Sequence, residues 1–92
     1  MPLKKIVVLF SGKGTNLKNI IKKLHKKEIG GCLYEISGAI CNKKEAEGID
    51  ICKNYHIPIG IIEHKNFNSR EEFDRKLVQS INFYKPDLTV LA

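Results

Sequence analysis

The residues best suited to chemistry lie near the start of the chain, in Val8-Leu9-Phe10-Ser11-Gly12-Lys13-Gly14-Thr15-Asn16-Leu17. An apolar, β-branched run stops at Ser11-Gly12, and a helical pattern begins just beyond Gly14. Glycines let the backbone turn tightly after a strand, while the first turn of the next helix presents unpaired N–H groups and the positive end of its dipole. Gly14, with the side-chain donors of Thr15 and Asn16, is therefore a candidate cradle for a phosphate that needs no lysine. Lys13 either adds a cation there or faces solvent. A Walker A loop requires G-x-x-x-x-G-K-S/T, and the spacing fails. A dinucleotide fingerprint requires a third glycine and an acidic residue near the end of the second strand. Leu17 replaces that glycine, and the second strand runs into Cys41-Asn42-Lys43. A monophosphate ester remains, alongside a tight turn that binds nothing.

Other reactive side chains form no catalytic set. Cys32, Cys41 and Cys52 lack C-x-x-C spacing, so neither a zinc knuckle nor a thioredoxin-like motif is indicated, and no metal is expected. Cys41 and Cys52 fall on apolar faces, where a free thiol behaves as a small hydrophobe. His25 lies beside a lysine-rich helix face, His56 precedes a strand, and His64 sits in a loop. None is placed to act as a base, which needs hydrogen-bond reach to the reacting proton. Glu63-His64 is an acid–base pair by position only, because adjacent residues at a strand end point apart.

Positioning such a turn requires alternating strands and helices, and the chain supplies them. Lys4–Phe10 reads as a strand buried on both faces. Leu17, Ile20, Ile21 and Leu24 make one helical stripe, and Gly30-Gly31 is expected to end that unit. Leu33–Cys41 is a second strand, and Asn42 starts a short helix with Ala46, Ile49 and Cys52 inside. Ile59–Ile62 is a third strand. Ser69 and Glu72 form a capping box for a helix carrying Phe73, Leu77, Ile81 and Tyr84. Asp87–Ala92 is the fourth strand. The expected fold is α/β, a doubly wound parallel sheet built as β-α-β-α-β-α-β with strand order 3-2-1-4. Ligands in such sheets bind beyond the carboxyl ends of the strands, between the first and fourth. The last strand would leave an apolar edge, a template through which a second copy could pair.

Composition narrows the partners. The 92 residues suffice for one domain, 42% apolar and 28% charged content is ordinary for a globular protein, and no run suits a membrane helix. The N-terminal apolar stretch is too short for a signal peptide, so a cytoplasmic protein is expected. The formal charge of +6 comes almost wholly from lysine, with Lys18, Lys22, Lys23, Lys26 and Lys27 on one helix face. Nucleic-acid binding would call for arginines and aromatics clustered on one surface, so a small-molecule partner is expected instead.

The segments KIVVLFSGKGTNLKNII, G-A-I-C-N-K at Gly38–Lys43, F-N-S-R-E-E-F-D-R at Phe67–Arg75 and K-P-D-L-T-V-L-A at Lys85–Ala92 together resemble the phosphoribosylglycinamide formyltransferases. The resemblance spans the chain in the expected order. It implies a Rossmann-like formyltransferase fold of which residues 1–92 are the N-terminal, phosphate-binding part. It also implies formyl transfer from 10-formyltetrahydrofolate, as cosubstrate, to the amine of 5-phosphoribosylglycinamide in purine biosynthesis. On that resemblance Gly14, Thr15 and Asn16 hold the 5′-phosphate, and Arg70 helps position the folate; a solvated Arg70 is the plain alternative. In the family the chain continues past the D-L-x-V-L-A strand to the catalytic Asn, His and Asp, which implies that these 92 residues alone are inactive. A stand-alone phosphate-ester binding module is the competing reading.

Overall fold

β1 (Leu3–Phe10) lies between two parallel neighbours, β3 (Cys32–Cys41) and β5 (Leu88–Leu91). Pairing with β3 runs from Leu3↔Leu33 to Phe10↔Cys41, and pairing with β5 from Ile6↔Leu88 to Leu9↔Leu91. Parallel neighbours need long crossovers, and the helices supplying them cover both faces of the sheet. The computed structural model describes residues 2–11, 15–43 and 47–92.

Alternation along β1 divides the core into two layers. Ile6, Val8 and Phe10 point toward α1 (Thr15–Leu24) and α2 (Gly48–Asn54), where Leu17, Ile21, Ile49 and Cys52 are buried. Val7 points the other way, toward α3 (Arg70–Phe83), joining Ile40, Ile62 and Phe73, with Leu77, Ile81 and Tyr84 packed around them. The helical stripes read from the sequence are therefore the buried faces.

The four expected strands pair in the order β4–β3–β1–β5, with β4 at Ile59–Ile61. The sheet is nevertheless mixed rather than wholly parallel. An additional strand, β2 (Lys27–Ile29), runs antiparallel to the start of β3. Gly30 and Gly31 both have positive φ, 59° and 82°, as a two-residue hairpin turn between twisted strands requires. They therefore link β2 to β3 and do not cap α1. The chain leaves α1 instead through Lys26, which takes the left-handed conformation at φ 58°. Asn42 likewise does not start a helix. It forms a bend after β3, and α2 begins at Gly48. Ala46, expected on the inner face, lies outside the described residues.

Register with β3 shifts between Ile6, opposite Ile36, and Val7, opposite Gly38, leaving Ser37 as an extra residue. This bulge anchors the end of α3. The Ser37 hydroxyl donates to the Tyr84 carbonyl at 3.3 Å, and the Tyr84 ring lies directly over Gly38. A Cβ on Gly38 would come within 2.5 Å of that ring. Asp87 then sets β5 on β1: its N–H donates to the Lys5 carbonyl, and its carboxylate accepts the Lys5 N–H, both at 2.8 Å. The capping box forms with one change of partner. Ser69 accepts from the Glu72 N–H at 3.2 Å, whereas Glu72 reaches back to the N–H of Asn68 rather than Ser69.

The outer edge of β3 shows why His25 is where it is. Near its start, Tyr34 accepts from the Lys26 N–H, and near its end Ala39 donates to the Pro58 carbonyl. Between them the Ile36 N–H is met by His25 Nδ1 at 3.0 Å. A buried N–H must find an acceptor, so the imidazole takes the place of a strand. Burial, and secondarily the Lys26 charge, lowers the His25 pKa below 6.5, with Glu35 opposing.

Two outcomes follow. Gly38→Ala should lower stability by about 1–3 kcal/mol, the range for overpacking a close-packed site, as measured by urea unfolding. For His25, the neutral form is favoured on folding, so its contribution is complete above pH 6.5 and lost as pH falls through 6.5 toward the depressed native value. His25→Ala should flatten that part of the stability–pH curve.

Candidate functional site

The carboxyl end of the sheet opens into a cleft of about 330 Å³. Leu9 and Ser11 contribute from the end of β1, Cys41 and Asn42 from the end of β3, Leu91 from β5, and Phe73 with Leu77 from α3. This is where a doubly wound sheet leaves room for a ligand, because the strand order reverses around β1. The walls are mainly apolar, with few polar groups, as is usual for sites that take small molecules.

Each wall is fixed by local chemistry. Phe73 is held in a stack: His64 lies parallel to it, with ring centroids 3.6 Å apart and planes 18° apart, and Phe67 meets it edge-on at 5.7 Å. The edge-on contact suits the ring quadrupoles, while His64 lies almost face to face over the Phe73 ring. His64 belongs to a short 3-10 turn, His64–Asn66, just before α3, and its role there is packing. Glu63 pairs with Lys65 at 3.6 Å. The Cys41 thiol donates to the Lys43 carbonyl at 3.0 Å and accepts the Lys43 N–H at 3.4 Å, folding the chain back after β3. The adjacent Asn42 Oδ1 is buried with no hydrogen-bond partner among the described residues. A buried acceptor in that state is ready for a donor.

The residues singled out from the sequence fall around this cleft in different ways. Thr15 and Asn16 are the first two residues of α1 and are exposed. No acidic side chain occupies that first turn, so nothing there neutralises the positive helix end. Gly14 and Lys13 lie outside the described residues. Arg70 opens α3 on the stripe that continues to Phe73 and Leu77, one turn beyond the cleft wall. Its guanidinium is largely exposed and lies 3.8 Å from the Asp74 carboxylate, an i, i+4 pair of small energetic weight at the surface. Asn42 was not singled out. Its signal was a polar residue directly after the carboxyl end of an apolar strand, masked by its resemblance to a helix start.

A doubly wound sheet with an apolar cleft at the carboxyl end of its central strand defines a class of α/β folds built to take small molecules, and comparison with known proteins specifies the family. Residues 4–92 match the sequence profile of the family described as "Formyl transferase", and the chain belongs to that family. Among curated relatives, the phosphoribosylglycinamide formyltransferase of Escherichia coli (strain K12) is 37% identical over 87 residues, covering 95% of this chain and 40% of that protein. Its counterpart in Haemophilus influenzae is 38% identical, covering 98% and 41% respectively. Among solved structures, the phosphoribosylglycinamide formyltransferase of Campylobacter jejuni superposes with a TM-score of 0.94 at 54% identity, covering 98% of this chain and 47% of that one. The Coxiella burnetii structure gives 0.85 at 42% identity, covering 100% and 41%. The chain thus spans less than half the length of these relatives. Among the described residues no cluster suited to a metal occurs, and no helix is long and apolar enough to cross a membrane.

The three thiols are free, Cys41 and Cys52 buried and Cys32 half-buried. Burial, with the nearby Cys41 adding to it, pushes the Cys52 thiol up to about 11. Since the thiolate is the nucleophile, iodoacetamide at pH 8 should label Cys32 first, and Cys52 only as fast as the protein unfolds. Mass spectrometry of peptides from a time course reads this directly.

Proposed function

We propose that the protein transfers a formyl group from 10-formyltetrahydrofolate to the amine of 5-phosphoribosylglycinamide in de novo purine biosynthesis. Residues 1–92 would then be the phosphate-binding N-terminal part of a single formyltransferase domain, in a cytoplasmic enzyme. The observation that carries this reading is the match to the formyl transferase family along residues 4–92, with the S-G-x-G-T-N-L sequence following directly on the central strand.

In this reading the backbone N–H groups of Gly14, Thr15 and Asn16 hold the 5′-phosphate at the start of α1. The apolar cleft beneath α3 suits the flat ring system of a folate, and Arg70, one turn along the same stripe, is placed to meet an anionic part of it. The two sites lie on either side of the β1 carboxyl end, which brings a phosphate-anchored amine toward a formyl group bound in the cleft. The amine nitrogen attacks the formyl carbon, and the carbonyl oxygen becomes an oxyanion that needs hydrogen-bond donors. None of the three histidines lines the cleft: His25 accepts from the Ile36 N–H, His64 stacks on Phe73, and His56 follows the end of α2. The donors and the proton acceptor are therefore assigned to the remainder of the domain.

Calorimetric titration with 5-phosphoribosylglycinamide tests the phosphate site. Wild type should bind, and Gly14→Val should weaken binding at least about tenfold, roughly the loss of one charge-assisted hydrogen bond. Equal heats from the two proteins would remove the turn from the site. The 92-residue chain alone should give no formyl transfer, and turnover by it would overturn the division of labour.

A further inference from the structure

At the opposite end of the sheet from the cleft, a second hollow of about 410 Å³ opens between the C-terminal ends of α1 and α2. Lys22, His25, Lys26 and Lys27 line it from one side, Tyr55 and His56 from the other, and no carboxylate is among its lining residues. We propose that this hollow binds a compact oligophosphate anion, of which diphosphate is the smallest member, through Lys22, Lys26 and Lys27.

Three observations point the same way. First, none of the three lysines is in an ion pair among the described residues, so three cations on one side of the hollow have no protein carboxylate to neutralise them there. Lysine is well suited to this role as a compact point charge with rotatable donors. Second, the lining carries three lysines and no carboxylate, and at the His25 ring Lys26 outweighs the opposing Glu35. Because His25 Nδ1 accepts the Ile36 N–H, the proton of the neutral ring is on Nε2, which remains a donor. Third, both helices end beside the hollow in the left-handed conformation usual after a helix, Lys26 at φ 58° and His56 at φ 59°, which turns the chain sharply each time and leaves a recess between them.

Two features limit the choice of ligand. Helix C-termini repel anions, but here the last carbonyls of α2 are occupied: Ile51, Cys52 and Lys53 accept from the N–H groups of Tyr55, His56 and Ile57. The site is also a recess bounded by two helix ends, lacking the arginine and stacked-aromatic track that follows a nucleic-acid strand. A small, multiply charged anion fits that shape. It can be free oligophosphate or the diphosphate moiety of a nucleotide.

The test is an amide NMR titration of the intact protein with inorganic diphosphate, with ribose 5-phosphate present in excess to occupy the turn proposed at Gly14–Asn16. Saturable shifts are expected at Lys26, Lys27 and Tyr55. The Lys22→Gln/Lys26→Gly variant should bind at least about tenfold more weakly, as expected on losing two phosphate-facing charges. Glycine accepts the left-handed backbone at residue 26, so the melting temperature of this variant should not fall, separating lost binding from lost folding. A nucleoside diphosphate that binds more tightly at the same amides marks a nucleotide as the source, and equal affinity marks free oligophosphate. Undiminished affinity in the variant, shifts confined to residues 11–17, orthophosphate binding as tightly as diphosphate, or affinity that climbs with oligonucleotide length would each overturn the proposal. Failure of the formyltransferase reading would leave these amide shifts unchanged.

Discussion

β1 has a hydrogen-bonded partner on each edge and a layer of helices on each face, and the remainder of the fold follows from keeping it there. Ile6, Val7 and Val8 are wholly buried, and each such side chain contributes about 1.5–3 kcal/mol when removed from water. Together they rival the few kcal/mol by which a small domain is stable at all. A strand buried this way requires crossovers on both sides of the sheet, and those crossovers leave the carboxyl end of β1 as the place where the chain must turn back. The start of α1 and the cleft are consequences of that geometry, one on the α1 face of the sheet and the other beneath α3.

The two edges of the sheet are finished differently. On the β3 side, where β2 and β4 are short, groups from two segments complete the hydrogen bonding of β3: the Lys26 N–H with the adjacent His25 imidazole, and the Pro58 carbonyl. That edge is blunted by a short hairpin and by a histidine that cannot extend a ladder. β5 has no such cover among the described residues, and its Leu88 and Leu91 are 51% and 78% exposed. Apolar side chains at an open strand edge need a partner surface. In relatives more than twice as long as this chain, further polypeptide is on hand to supply one.

What the sequence disclosed was what periodicity and local hydrogen bonding control. The continuous apolar run of β1, the i, i+3, i+4, i+7 stripe of α1 and the Ser69–Glu72 cap each depend on residues close in sequence, and each is found in place. The features it concealed depend on distant contacts. β2 is Lys27-Glu28-Ile29, too short and too polar to show a period, and it exists because Gly30-Gly31 folds it onto β3. The Ser37 bulge becomes meaningful only when Tyr84 arrives over Gly38. His25 resembles any half-exposed histidine until the Ile36 N–H is seen to need an acceptor. At the candidate site, Thr15 and Asn16 follow from motif spacing and Arg70 from the family resemblance alone, whereas Asn42 and the aromatic support of Phe73 require the folded chain.

Gly48 shows how tightly the turn region is tied to the core. A Cβ there would collide with the Phe10 ring and press on Leu17, so the first residue of α2 must rest directly on the last residue of β1. Phe10 thereby fills the space between the start of α1 and the start of α2, and it does so from the position immediately before Ser11. A bulkier residue at 48 would displace the ring, and with it the point from which the chain departs into the turn. On the proposed reading, the backbone amides at the start of α1 bind a phosphate best if they are fixed before it arrives, because ordering them on binding would cost affinity. The close approach of Gly48 to Phe10 fixes the neighbouring end of β1 from within the same α1–α2 layer.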